Sequence, residues 1–169
     1  MKIYRGTIVS LDVEEVRLPN GTMMRMELVR HPGGAAVVAI DAQDRVCLLR
    51  HYRPAVGAWL WELPAGKRDH GEPALVTARR ELQEEAGLVA ARWDALGSIW
   101  SSPGILAERI ELYLARGLTR VTASADEDEV FEIHWLAFDE ALEKVLADDG
   151  ADAKTIAGLT RAERVRKSR

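Results

Sequence analysis

The sequence predicts an α/β fold in which a mixed sheet carries helices on its faces. Three observations carry that expectation. Strand-like and helix-like stretches are mixed without a strict βαβ rhythm. Two short runs, "GGAAVVAID" and "RVCLLRHYR", are almost continuously apolar, as strands buried on both faces are. One stretch has helical spacing between a proline, Pro73, and a glycine, Gly87.

The elements follow in order. "IYRGTIVSLDVEEVRL" partly alternates, Pro19–Asn20–Gly21 supplies a turn, and "TMMRMELVR" resumes, so residues 1–32 read as a β-hairpin region. The two apolar runs read as a second strand pair around Asp41–Asp44. "WLWEL" is a short strand ahead of Pro64. A helix starts near Pro73 and stops at Gly87. "WDALGSIWSS", "ERIELYLAR" and "EVFEIHWLAF" are further strands. Helices over residues 139–147 and 153–167 close the chain.

The 169 residues fit a single domain, long enough to bury roughly 70% of the unfolded surface. With 47% hydrophobic and 30% charged residues the chain reads as globular. A net charge of −4 argues against a nucleic-acid partner. The lone cysteine, Cys47, excludes an intrachain disulfide and a cysteine-based zinc site, and reads as a buried strand residue. No apolar stretch nears the roughly 20 residues that span a bilayer. The opening "MKIYRGTIVSLDVEEV" is too polar for a signal peptide, so the expectation is a cytoplasmic protein without membrane contact.

The helix from Pro73 to Gly87 holds the most chemistry. At about 100° per residue, Glu81, Glu84 and Glu85 share an arc of about 100°, beside an apolar arc of Leu75, Ala78, Leu82 and Ala86. Arg80 stands four residues before Glu84 and can pair with it. Carboxylates so crowded bind hard divalent cations, with Mg²⁺ keeping positions for water and substrate phosphates. By themselves they also fit a solvated acidic face with Glu–Arg pairs.

The spacing goes further. Gly66, Glu72, Arg80, Glu81, Leu82, Glu84, Glu85, Gly87 and Leu88 fill the pattern G-x5-E-x7-R-E-L-x-E-E-x-G-L. This resembles the Nudix box of the Nudix hydrolase superfamily at every fixed position. "WELPAG" leads into the box, "HYRP" precedes it, Pro103 follows Leu88 by 15 residues within "SSPGILAER", and "DEDEVFEIHWL" and "DAKT" come later. These flanks resemble the ADP-ribose pyrophosphatase and nucleotide-sugar hydrolase branch.

The resemblance implies an α/β/α sandwich that holds Mg²⁺ or Mn²⁺ and splits ADP-ribose into AMP and ribose 5-phosphate. GDP-mannose or ADP-glucose is the alternative substrate, and a non-catalytic ADP-ribose-binding module the alternative function. It implies metal ligands at Glu81, Glu85 and the Ala65 carbonyl, with Glu84 a further ligand or water-mediated contact. It has Arg80 orienting a glutamate, Glu72 bracing the loop and Gly66 permitting a tight backbone. Arg53 would contact the diphosphate, or else pair with a nearby acid. Glu108 would be the base for the attacking water or another metal ligand. The loop in that branch often has a polar or aromatic residue and an acid just before its glutamate, where this chain has Ile105, Leu106 and Ala107. The branch also implies a homodimer, with the N-terminal strands helping to form the partner's site.

Other residues carry less. His31, His51, His70 and His134 lack ligand spacing, and none is assigned to metal. Trp59 and Trp61 read as base-stacking or as packing residues. Asp126–Glu129 reads as a solvated acidic loop, and the tail from Arg161 as a frayed helix end.

Overall fold

A computed structural model describes residues 1–124, 129–147 and 150–167. Most of the acidic run expected as a solvated loop, residues 126–128, lies outside the described residues, as does the last part of the tail.

The N-terminal region forms β1 (Lys2–Arg5), β2 (Ser10–Arg17) and β3 (Met23–Arg30). β2 and β3 make the expected antiparallel hairpin, from Ser10 opposite Arg30 to Arg17 opposite Met23. The run read as one strand is broken at Gly6, whose N–H donates to the Val9 carbonyl at 2.9 Å and turns β1 back along β2.

Next come β4 (Gly34–Ala39), β5 (Arg45–Arg53), β6 (Ala58–Glu62) and β7 (Ala65–Lys67). All of β4 is buried, as its composition requires. The expected β4–β5 pair does not form. The chain does turn between them, with Asp44 at φ 57° and one bridge between Ile40 and Val46. Beyond that bridge the strands diverge into different sheets. β4 instead pairs antiparallel with β7 and parallel with a strand some 75 residues on. An apolar run records burial but not its partner.

Helix α1 spans Ala74–Ala86. Pro73 is its N-cap, one position earlier than the first helical turn where proline is favoured. Gly87 ends it in the left-handed conformation (φ 62°, ψ 41°), its N–H capping the carbonyls of Gln83 and Leu82. Strand β8 (Leu88–Trp100) follows at once, then β9 (Leu106–Ala107), β10 (Arg109–Arg120), β11 (Phe131–Ala137), α2 (Phe138–Ala147) and α3 (Ala153–Lys167). Both closing helices lie where their sequence pattern puts them.

The strands form three sheets, ordered β1-β2-β3-β9, β7-β4-β10-β8 and β11-β5-β6. The second is mixed: β4 and β10 run parallel, while β7 and β8 flank them antiparallel. Its two faces carry separate cores. Val37 and Ala39 meet Ala78 and Leu82 of α1. Val38 and Ile40 meet Leu48, Phe138 and Leu159, on the side of α2 and α3. Alternation along β4 thus feeds both layers of an α/β/α sandwich. Each fully buried Leu, Val or Phe contributes about 1.5–3 kcal/mol. Cys47 lies in the α1-side core, where burial pushes its thiol up to about 12. Among the described residues no helix is long and apolar enough to cross a membrane.

Candidate active site

The packing of α1 against β4 and β7 brings the glutamate helix under a cavity of about 740 Å³. Arg53, Ala65, Arg80, Glu81, Glu84 and Glu108 all line it. Six positions read from the sequence therefore meet at one place, although they are spread from β5 to the junction of β9 and β10.

Glu85 lies behind that wall. Its side chain is 2% exposed, and its Oε2 accepts the Ala65 N–H at 2.7 Å. Burial pushes its carboxyl up to about 8; the Ala65 N–H opposes the rise and the neighbouring Glu81 adds to it. Burial also raises Glu81, against the pull of Arg80. The helix therefore buries two carboxylates that its wheel placed along an edge.

Arg80 gathers the others. Its Nη1 donates to Glu81 Oε1 at 2.7 Å and to Glu84 Oε2 at 2.9 Å. Its Nη2 reaches the Lys67 carbonyl at 3.1 Å and Glu72 Oε2 at 3.3 Å. Glu72 also accepts the Thr77 hydroxyl at 2.8 Å and the Asp69 N–H at 3.2 Å, which ties the loop after β7 to α1. The Arg80 hydrogen bond, with help from Thr77, holds the Glu72 carboxyl down at about 2. Gly66 has no room for a side chain, because a Cβ there would stand 2.0 Å from Glu81 Oε1.

Arg53 points along the same wall and is forked onto Glu62, with Nε–Oε1 and Nη2–Oε2 both at 2.7 Å. Its third nitrogen, Nη1, stays outside that pair. The ammonium of Lys154, on α3, donates to Glu62 Oε2 at 2.6 Å and also pairs with Asp152. Burial would raise the Glu62 carboxyl, but the hydrogen bond from Arg53 and the charge of Lys154 prevail and hold it at about 2. The residue after Lys154, Thr155, accepts the Leu63 N–H through its Oγ1 at 2.9 Å. The sequence showed "WELPAG" and "DAKT" as separate motifs; the fold joins them across 92 residues.

Two histidines, His31 and His51, also line the cavity. Lone histidines without ligand spacing gave no signal of this. His31 Nδ1 stands 3.2 Å from Glu108 Oε1. Neither Trp59 nor Trp61 is among the described lining residues. Trp61 is a packing residue, with Arg50 at 5.1 Å and Lys144 at 4.8 Å over its ring, and Trp59 packs edge-on against Tyr52.

A model of the NUDIX domain matches residues 30–158. The chain belongs to the Nudix family. Curated relatives agree along almost its whole length. A methanol dehydrogenase activator of Bacillus methanolicus is 40% identical over 157 residues, 92% of this chain and 85% of that one. ADP-ribose pyrophosphatases of Bacillus subtilis and Mycobacterium tuberculosis are 35% and 37% identical, over 91% and 93% of this chain and 84% and 77% of theirs. A solved structure titled as an ADP compounds hydrolase superposes with a TM-score of 0.84 over 99% of this chain and 91% of that one. At 20% identity that likeness shows the fold. The enzyme class read from the box, a Nudix pyrophosphohydrolase, therefore stands.

The Nudix helix suits a divalent cation. Glu81, Glu84 and Glu85 offer hard oxygen donors, and two of them are buried at a cost that positive charge offsets. Among the described residues no three ligating side chains yet close on one point. Arg80 bridges Glu81 to Glu84, and the Ala65 N–H holds Glu85.

Proposed function

We propose that the protein hydrolyses the pyrophosphate bond of ADP-ribose, giving AMP and ribose 5-phosphate. The observation behind this reading is the one cavity that gathers Arg53, Ala65, Glu81, Glu84 and Glu108, in a chain more than a third identical to ADP-ribose pyrophosphatases. Glu81, Glu84, Glu85 and the Ala65 carbonyl would hold Mg²⁺ or Mn²⁺. When bound, the cation supplies positive charge that polarises a phosphoryl oxygen and favours a nucleophilic water.

The chain's own residues do the rest. Arg53, held in plane by Glu62, presents Nη1 to a diphosphate oxygen. Arg80 keeps Glu81 and Glu84 in place. Glu108 accepts the proton of the water that attacks phosphorus. Residues 1–169 act as one domain.

We also assign a homodimer built on the N-terminal sheet. All four residues of β1 are exposed, and Ile3, Tyr4, Ile8, Met23 and Met24 present apolar surface there. Ile8 reaches the cavity itself. We further propose that the enzyme is cytoplasmic, in keeping with a nucleotide-linked substrate.

The test is a panel of nucleoside diphosphate derivatives assayed with Mg²⁺ and with Mn²⁺. ADP-ribose should be cleaved fastest, with AMP as a product. Faster cleavage of GDP-mannose or ADP-glucose would move the substrate, and tight binding of ADP-ribose without cleavage would overturn catalysis. A light-scattering mass near one 18.8 kDa chain would exclude the dimer.

A further inference from the structure

The Arg53–Glu62 fork is not a cross-strand pair. In the β5–β6 ladder Arg53 stands opposite Ala58, and Glu62 stands opposite Leu49. Those rungs lie about 13 Å apart at the rise of a strand, and on the same face His51 and Leu60 come between them. The two side chains meet only by leaning along the ladder toward each other. Strand pairing by itself does not fix the plane of the guanidinium.

A third group reaches the fork from outside the sheet. The chain entering α3 is fastened beside β6. The Trp61 N–H donates to the Gly150 carbonyl at 2.8 Å, and the Leu63 N–H to Thr155 Oγ1 at 2.9 Å. Gly158 lets α3 lie close, because a Cβ there would stand 2.6 Å from Leu63 Cδ1. Between these ties Lys154 delivers its ammonium to Glu62 Oε2, the oxygen that also accepts Arg53 Nη2.

The ammonium has a second task. Asp152 lines the same cavity as Arg53, and its negative charge acts on that arginine. One Asp152 oxygen, Oδ1, accepts the Thr155 N–H at 2.9 Å at the start of α3. The other, Oδ2, pairs with Lys154. Without the lysine, that oxygen would compete for a guanidinium whose Nη1 lies outside the Glu62 fork. With it, two cations and two carboxylates make a neutral set in which each charge has an opposite partner.

We propose that Lys154 is a positioning residue: it clamps Glu62 behind the Arg53 fork and occupies Asp152, so that Arg53 keeps Nη1 for the diphosphate. This rests on the reading of Arg53 as the diphosphate contact. Lys154 acts through Glu62 and Asp152 and need not touch substrate.

Steady-state hydrolysis of ADP-ribose with Mg²⁺ tests this in Lys154→Met, Arg53→Ala, and Lys154→Met combined with Arg53→Ala or with Asp152→Asn. Melting temperatures verify that each is folded. Lys154→Met should raise KM about 10-fold, the scale of one weakened hydrogen bond to a charged group, and change kcat less. If that variant does not fold, Lys154→Gln, whose amide still donates to one carboxylate, takes its place with the same expected rise. Lys154→Met should add nothing to the KM of Arg53→Ala, because no fork is left to hold. Adding Asp152→Asn should recover part of the loss, because it removes the competing charge while its amide oxygen still caps α3. Wild-type KM in Lys154→Met beside a raised KM in Arg53→Ala overturns the positioning role and leaves the diphosphate contact in place. Losses that multiply in the pair with Arg53→Ala overturn action through Arg53. A further rise in KM with Asp152→Asn overturns the shielding of Arg53 and marks the lysine as merely structural. Wild-type KM in Arg53→Ala overturns the diphosphate contact, and this proposal with it.

Discussion

Gly66 and Glu81 share a space that only hydrogen can fill: a methyl on Gly66 would sit 2.0 Å from one Glu81 oxygen and 2.6 Å from the other. The carboxylate and the backbone of β7 are thus mutually locating. Gly66→Ala must push Glu81 away, and with it the Arg80 bridge to Glu84. Turnover of ADP-ribose should fall at least about 100-fold. Retention of wild-type kcat would show that Glu81 has no need of this seat.

Glu85→Gln should separate chemistry from fold. The amide oxygen can still accept the Ala65 N–H, and the buried carboxyl, pushed up to about 8, is already mostly neutral at pH 7 before metal arrives. The expected result is a melting temperature near wild type without metal and a kcat lower by orders of magnitude. Near wild-type turnover would remove Glu85 from the metal site.

Cation binding should stabilise the protein. Saturation to about 100 times Kd is worth about 2.7 kcal/mol, or roughly 5–10 °C in melting temperature for a chain of this size. A Mg²⁺ titration followed by thermal unfolding measures it. Glu85→Gln should lose most of the shift; a flat titration of the wild type would count against the carboxylate site.

Glu62 links stability to pH. Its carboxyl is held at about 2, below the 4.5 it has when unfolded. The folded state therefore binds fewer protons, and the stability from this group is complete above pH 4.5 and lost as pH falls through 2. A shift of this size is at most about 3 kcal/mol. Glu62→Gln should flatten that part of the acid unfolding curve. It should also raise KM, because Arg53 loses the carboxylate that holds its fork. An unchanged KM would place Arg53 outside diphosphate binding.

Cys47 offers a control on the core. Full burial, and a thiol pushed up to about 12, leave almost no thiolate at neutral pH. Iodoacetamide should modify it only as fast as the protein unfolds. Rapid labelling of native protein would contradict the packing of β5.

What the sequence made legible was local. Pro73 and Gly87 bracket α1 because caps act within a turn of the helix end. The hairpin of β2 and β3 was visible because its turn and both strands are adjacent in the chain. Partners distant in the chain were not legible. Ala36 belongs beside Leu112, which no pattern at residues 34–53 can express, so β4 and β5 read as a pair. The box spacing located Glu81, Glu84 and Glu85 on one helix, yet not the burial of Glu85, which depends on β7 folding over it. Lys154 and His31 were silent for the same reason: each is an ordinary residue until Glu62 or Glu108 arrives beside it.

The short ladder of β3 with β9 bears on how this loop can diverge. Leu106 and Ala107 are gripped by their main chain, so their side chains do not decide where Glu108 stands. That is why this stretch can be as apolar as Ile105–Leu106–Ala107 without moving the carboxylate beside it. An engineer seeking a new sugar preference could rewrite these positions, proline excepted, while leaving the neighbouring carboxylate where it is.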